Sequence, residues 1–286
     1  MTAAPSYADV PKPVIKTRRV RFDSSGLRRH YAGGDLVMSH IVAILSAMFP
    51  EGEDFFVRSV RHYSDRITDP VLKAQVAGFI GQETMHGREH RALNDRLQQM
   101  GYPTHAVDRR VKRDLARAHR KMPPKMQLAV TSALEHYTAT LAEVLLGDEK
   151  ARDILGDSEV RNVLLWHALE ESEHKAVAFD VYRAVGGTEK MRIRVMRVMT
   201  FSFLIGTILE TIMSMLRDRA TYNPVRLIKS LLGLRHSPWL SKEVRQRIRD
   251  YNKVGFHPDD NDNSALLAHW TEELFGAQGQ LAAKLK

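Results

Sequence analysis

The chain has 286 residues, 43% hydrophobic and 27% charged, enough apolar material for a substantial core and too much for default disorder. It contains no cysteine, which excludes disulfides, thiolate metal sites and cysteine nucleophiles, so any metal must be held through nitrogen and oxygen. The net charge of +9 admits an anionic partner such as a lipid headgroup or an acyl carrier, whereas nucleic acid is set aside because the basic runs KTRRVRF and DRRVKRDLARAHRK lack interleaved aromatics and match no reading motif.

Residues 1–34 are rich in Pro, Gly and basic side chains and read as an irregular basic arm on the surface. They carry no apolar stretch of the secretory kind, so a cytoplasmic protein is the simplest expectation. GDLVMSHIVAILSAMF predicts a short helix stopped by the PEG turn at 50–52, followed by a second helix over 53–66 that sets Glu53 among Phe56, Val57 and Val60. Asp69 and Pro70 supply the N-cap and first-turn proline of a long helix to about residue 100, closed by Gly101 and Pro103. After a basic connection, Pro123 and Pro124 open a helix to about 146, on which Leu128, Ser132, Glu135, Ala139, Ala142 and Leu146 recur at helical spacing. A further helix from about 158 to 185 ends at GG.

Four long helices joined by short or moderate connections predict an all-α fold, an antiparallel four-helix bundle over 35–220. Residues 221–286 are expected to form a helical C-terminal extension packed on it, with segments near 224–233, 240–252 and 263–284. The stretch 198–216, VMTFSFLIGTILETIMSML, carries one charge, Glu210, between basic flanks. It admits three readings: a fifth helix on the bundle, an interfacial helix against a membrane, or a span, against which Glu210 and the Ser and Thr residues weigh. The protein is accordingly expected in the cytoplasm, with contact at a membrane surface as an option.

Chemistry concentrates in two helices. In GFIGQETMHGREHRALN, Glu83, His86 and His90 fall within roughly 60° of one another at 100° per residue. In LLWHALEESEHKAVAFDVY, His167, Glu170, Glu171 and His174 span roughly 100°. In chain order the inward candidates are Glu53, then Glu83 with His86, then Glu135, then Glu171 with His174, the pattern of ferritin-like di-iron and di-manganese carboxylate bundles. Four carboxylates balance two divalent ions, and each imidazole offers a neutral nitrogen to one of them. Glu51 competes with Glu53 and Glu170 with Glu171, while His90 and His167 are expected either as additional ligands or as hydrogen-bond donors behind the ligands. The competing reading is a buried salt-bridge network with Arg88, Arg91 or Lys175. Tyr63 and Tyr137 are expected to pack, and His62, His105, His119 and His136 to lie outside the site.

In the blocks FPEGEDFFVRSVRHY, GQETMHGREHRALN, EHYTA and WHALEESEHKAVAFDVY the chain resembles a bacterial family called predicted metal-dependent hydrolases. The resemblance covers roughly residues 35–220 and implies Glu53, Glu83, His86, His90, Glu135, His167, Glu171 and His174 as metal ligands. The first expectation for function is an oxidoreductase using dioxygen at two metal ions, iron first and manganese or zinc as alternatives. It would act on a small or lipid-like organic substrate, with Glu83, Glu135 and Glu171 at the reacting centre and an electron donor not identified. Hydrolysis by a two-metal activated water and non-enzymatic binding of dioxygen or iron are the alternatives, and a homodimer is admitted.

Overall fold

The computed structural model describes residue 12, residues 14–156 and residues 158–286; the first part of the basic arm, 1–11 and 13, lies outside the described residues. Among the described residues the protein is all-α, and the one β-type pairing is an isolated antiparallel bridge between Val20 and Leu285. The helices are α1 (Leu36–Arg61), α2 (Pro70–Gln99), α3 (Thr104–Lys121), α4 (Pro124–Gly147), α5 (Glu149–Leu155), α6 (Glu159–His174), α7 (Val177–Ala184), α8 (Glu189–Met215), α9 (Pro224–Arg235), α10 (Lys242–Asp250) and α11 (Ser264–Phe275).

The N-termini are set by side chains that satisfy otherwise orphaned N–H groups. The carboxylates of Asp35 and Asp69 accept from the N–H of Met38 and Val71, each at 2.8 Å, and Pro70 and Pro124 occupy first positions where a missing N–H costs nothing. Gly101 closes α2 at φ +94°, a conformation that a side chain would strain.

Four features differ from the sequence expectation. The expected break at 50–52 does not occur, and α1 runs through Pro50. Proline deprives the carbonyl four residues back of its partner, but here the Ser46 carbonyl accepts from Asn94 Nδ2 at 2.9 Å. A side chain on α2 thus replaces the missing helix bond. The expected basic connection is the helix α3, whose Val107 and Val111 pack against Ile44, Ala47 and Met48 of α1, a stripe at spacing four within a charge-rich segment. The expected helix over 158–185 is divided after His174 into α6 and α7. Lys175 and Ala176 keep right-handed helical dihedrals there, so only the hydrogen-bond ladder is interrupted. The last segment is also shorter than expected, with α11 stopping at Phe275.

Two apolar cores flank the middle of the helices. One contains Leu93, Leu97, Leu145, Leu169 and Trp166, and the other Phe55, Phe79, Leu128, Phe179 and Tyr182. Residues 14–34 do not simply lie on the surface, since Val20 and Ala32 are fully buried. Arg21 N–H donates to the Lys284 carbonyl at 3.1 Å and Lys286 N–H to the Arg19 carbonyl at 2.8 Å, tying this segment to the other end of the chain.

Candidate metal centre

Between the two cores, α1 presents Glu53, α2 presents Glu83, His86 and His90, α4 presents Glu135, and α6 presents His167, Glu171 and His174. All eight side chains are buried, none more than 4% exposed. Ligand atoms of Glu53, His86 and His167 lie within 4.8 Å of one another, as do those of Glu83, Glu171 and His174. Glu171 joins the two groups: its Oε1 is 2.9 Å from His167 Nε2 and 3.5 Å from both His86 Nδ1 and His174 Nε2. Glu135 Oε2 adds a contact of 3.3 Å to His174 Nε2, and Glu83 Oε1 one of 3.1 Å.

The open alternatives resolve by contact. Glu53 turns both oxygens inward, whereas Glu51 pairs with Lys112 at 3.3 Å. Glu171 faces the cluster, and Glu170 stands behind it, accepting from Arg18 and contacting His86 Nε2 at 3.0 Å. Among the described residues, the basic side chains of the competing reading pair outside the cluster. Arg88 turns to Glu89, Arg91 to Asp54 and Lys175 to Glu143. His105 bonds Asp95, His119 bonds Gln127 and His136 bonds the Arg247 carbonyl, His62 is exposed, and Tyr137 packs against Phe203 with ring centroids 5.4 Å apart.

The hydrogen-bond network assigns the imidazole protons. Asn94 uses its amide N–H on the Ser46 carbonyl, so its Oδ1 accepts the Ser46 hydroxyl proton at 2.8 Å. Ser46 Oγ must then accept from His90 Nδ1–H at 2.8 Å. The remaining lone pair of His90, on Nε2, accepts from His167 Nδ1–H at 2.7 Å. His167 is left with a bare Nε2 facing the carboxylates. The same logic holds for His174, whose Nδ1–H donates to Gln82 Oε1 at 2.8 Å, because the Gln82 amide N–H groups are spent on Glu173 and the Lys16 carbonyl. For His86, Nε2–H donates to Glu170. Three imidazoles are therefore each anchored from outside and turn their other nitrogen inward toward the carboxylates, and His90 acts one step behind. Phe49, Phe79 and Trp166 wall the rings edge-on, with centroids 4.8 Å from His167, 5.0 Å from His174 and 4.9 Å from His86.

Nine polar atoms in this volume have no hydrogen-bond partner: both oxygens of Glu53, Glu83 and Glu135, Glu171 Oε2, His86 Nδ1 and His174 Nε2. The short approaches of His174 Nε2 to the carboxylates, 3.1 to 3.5 Å, lack hydrogen-bond alignment. At about 1–3 kcal/mol for each buried unsatisfied group, nine would offset a typical folding stability of about 5–15 kcal/mol. The donor set fits divalent cations, which satisfy several acceptors at once.

The electrostatics agree. Burial raises Glu53 well above the usual carboxylate range, and the neighbouring Glu83 raises it further. Burial, Glu83 and Glu171 lift Glu135 to about 8. Burial opposes charge on His86, but Glu170, Glu171 and Glu83 outweigh it and lift that imidazole to about 10. His167, buried and next to His86, falls to about 4. The carboxylates thus generate a field that favours positive charge within the cluster.

A helical protein built around a buried carboxylate and imidazole cluster is thereby defined as a candidate metalloenzyme. The family described as predicted metal-dependent hydrolase matches residues 16–262, and the chain belongs to it. No curated protein and no solved structure matches the chain. The family supports the hydrolytic alternative of the sequence reading, and dioxygen chemistry, expected first, draws no support from it.

Spacing on single helices pointed to the inward residues. Gln82, Ser46 and Asn94, which hold the imidazoles from outside, and Arg18, which holds Glu170, were missed; Glu170 was named as a competitor of Glu171 for the ligand position. Asn94 follows His90 by four residues and was the one with a local signal.

Proposed function

We propose that the protein is a hydrolase whose centre holds two divalent cations, one near Glu53, His86 and His167 and one near Glu83, Glu135 and His174, with Glu171 shared between them. The observation that carries this reading is the convergence of four carboxylates and three inward imidazole nitrogens on a volume where nine polar atoms lack a hydrogen-bond partner. The charges of four carboxylates and two divalent ions cancel, which makes deep burial affordable. When bound, such ions lower the pKa of water and polarise a carbonyl or phosphoryl oxygen.

The chain's own residues do the rest. Gln82, Glu170 and the Asn94–Ser46–His90 relay fix the imidazole tautomers, and Phe49, Phe79 and Trp166 keep bulk water from the nitrogens. Glu53 and Glu135, neither of whose oxygens accepts a protein hydrogen bond, have capacity left to take a proton from an attacking water.

The test is metal analysis of the purified protein joined to anaerobic assay of p-nitrophenyl esters and phosphoesters. Two metals per chain and turnover under argon, lost in Glu171→Ala, are expected. Turnover that requires dioxygen overturns the hydrolytic reading. It would favour oxidation by dioxygen, a second reading that draws on the burial of the whole centre, reachable by a small gas more readily than by a bulky ester.

A further inference from the structure

The helix α8 is inverted relative to an ordinary surface helix. Val198, Phe201, Leu204, Ile205, Ile208, Leu209, Ile212, Met213 and Leu216 are all exposed, Phe201 by 69% and Ile208 by 52%. At 100° per residue they occupy roughly half the circumference. The face turned to α1 and α4 carries Thr200, Thr207, Glu210, Thr211 and Ser214 among the packed Val195, Met196, Met199, Phe203 and Met215. Ser214 Oγ meets His40 Nδ1 at 2.7 Å, and Glu210 accepts from Arg110 Nε of α3 at 2.6 Å. The sole charge of the segment is thus paired inward, leaving the apolar face free of it. The helix is long and apolar enough to cross a membrane, with only 17% of its most apolar window buried, but its polar face is committed to the bundle along its length.

A second exposed apolar row lies on α9, where Val225, Ile228, Leu231 and Leu232 are exposed while Ser230 holds the helix to the start of α1, accepting from Val37 N–H at 2.9 Å. Basic groups frame it. Arg194 and Arg197 precede the apolar face, and Arg217, Arg219, Lys229 and Arg235 follow it, all exposed. The helix α3, tied to α8 through Arg110, carries seven Lys and Arg against Asp108 and Asp114, and Arg109, Arg110, Lys112 and Arg113 line one surface pocket on it. Exposed apolar surface of this extent marks a contact site. A second copy would bring the same positive rim against itself, whereas an anionic bilayer complements both the rim and the face.

We infer that the protein docks peripherally on anionic membranes, burying the outer face of α8 and α9 among the acyl chains while α3 and the flanking arginines engage lipid phosphates. This does not depend on the reaction at the metal centre. The experiment is flotation of the full-length protein with vesicles of phosphatidylcholine, with and without phosphatidylglycerol, for wild type, I205E/I208E and R109Q/R113Q, with helicity by circular dichroism and solution mass by light scattering. Expected are flotation with the anionic vesicles, its loss in I205E/I208E at unchanged helicity, and a weakening in R109Q/R113Q of roughly fivefold per removed charge, with added salt acting likewise. Three results each overturn the inference: wild type that floats with neither vesicle, I205E/I208E that floats like wild type, and a soluble wild-type dimer that I205E/I208E dissolves without any vesicle binding.

Discussion

His174 shows how one side chain is prepared for its task. Its Nδ1–H is held by Gln82 at 2.8 Å while its Nε2, with no hydrogen-bond partner, looks at Glu83, Glu135 and Glu171. Replacing Gln82 with Ala leaves the ring free to turn or to change tautomer. Metal affinity should fall about 10- to 100-fold, measured by competition with a chromophoric chelator; an unchanged affinity would show that packing against Phe79 alone orients the ring. Removal of a bare nitrogen is more severe, and His86→Ala or His174→Ala should lower bound metal by half or more, while His62→Ala leaves it intact. Retention of full metal content in both variants would remove these imidazoles from the ligand set. The convergence of Glu83 with His86 and of Glu171 with His174 is legible in the sequence because spacing along one helix is a local property. The roles of Gln82, Ser46 and Glu170 behind the imidazoles are not, because each acts on a ring belonging to another helix.

At the scale of elements, the segment before α1 reaches the site through α2. A Cβ added to Gly78 would lie 2.6 Å from Ile15 Cβ and from the Ile15 carbonyl oxygen, so the absence of a side chain lets this segment lie on the helix. Three residues on, Arg18 donates to Glu170 Oε1 at 3.2 Å and to Glu173 Oε1 at 2.6 Å, and Glu170 holds His86. Gly78→Ala should therefore cost about 1–3 kcal/mol in urea denaturation and also weaken metal binding, through a chain of contacts that touches no ligand. A variant as stable as wild type would mean that the segment shifts without strain. The helical periods of α2 and α4 are readable from their capping residues and apolar spacing. The continuity of α1 is not, because Pro50 is a stop signal by every local rule and is overruled by Asn94, 44 residues downstream of it in the chain. The helix α3 was hidden by its charge, since two valines at spacing four are a weak signal inside a basic run.

For the whole molecule, the centre makes stability a function of metal and pH together. In the metal-free protein, Glu135 binds its proton more tightly folded than unfolded, its pKa rising from 4.5 to about 8 through burial, Glu83 and Glu171. Its contribution is complete below pH 4.5 and is lost as pH rises through about 8. His86, lifted from 6.5 to about 10 by carboxylates that outweigh its burial, acts in the same direction at higher pH. His167 opposes them on the acid side, since burial and His86 depress it to about 4, and stability is lost as pH falls from 6.5 through that value. Between pH 6.5 and about 8 the first two act unopposed by His167, so the metal-free protein should melt at progressively lower temperature across that window. Metal ions replace those protons and bind more tightly as the ligands lose them, and binding to the folded form alone adds stability by mass action. The gap in melting temperature between metal-loaded and chelator-treated protein should therefore widen from pH 6.5 to 8. A gap that stays constant or narrows would show that the buried carboxylates are not where the metal binds.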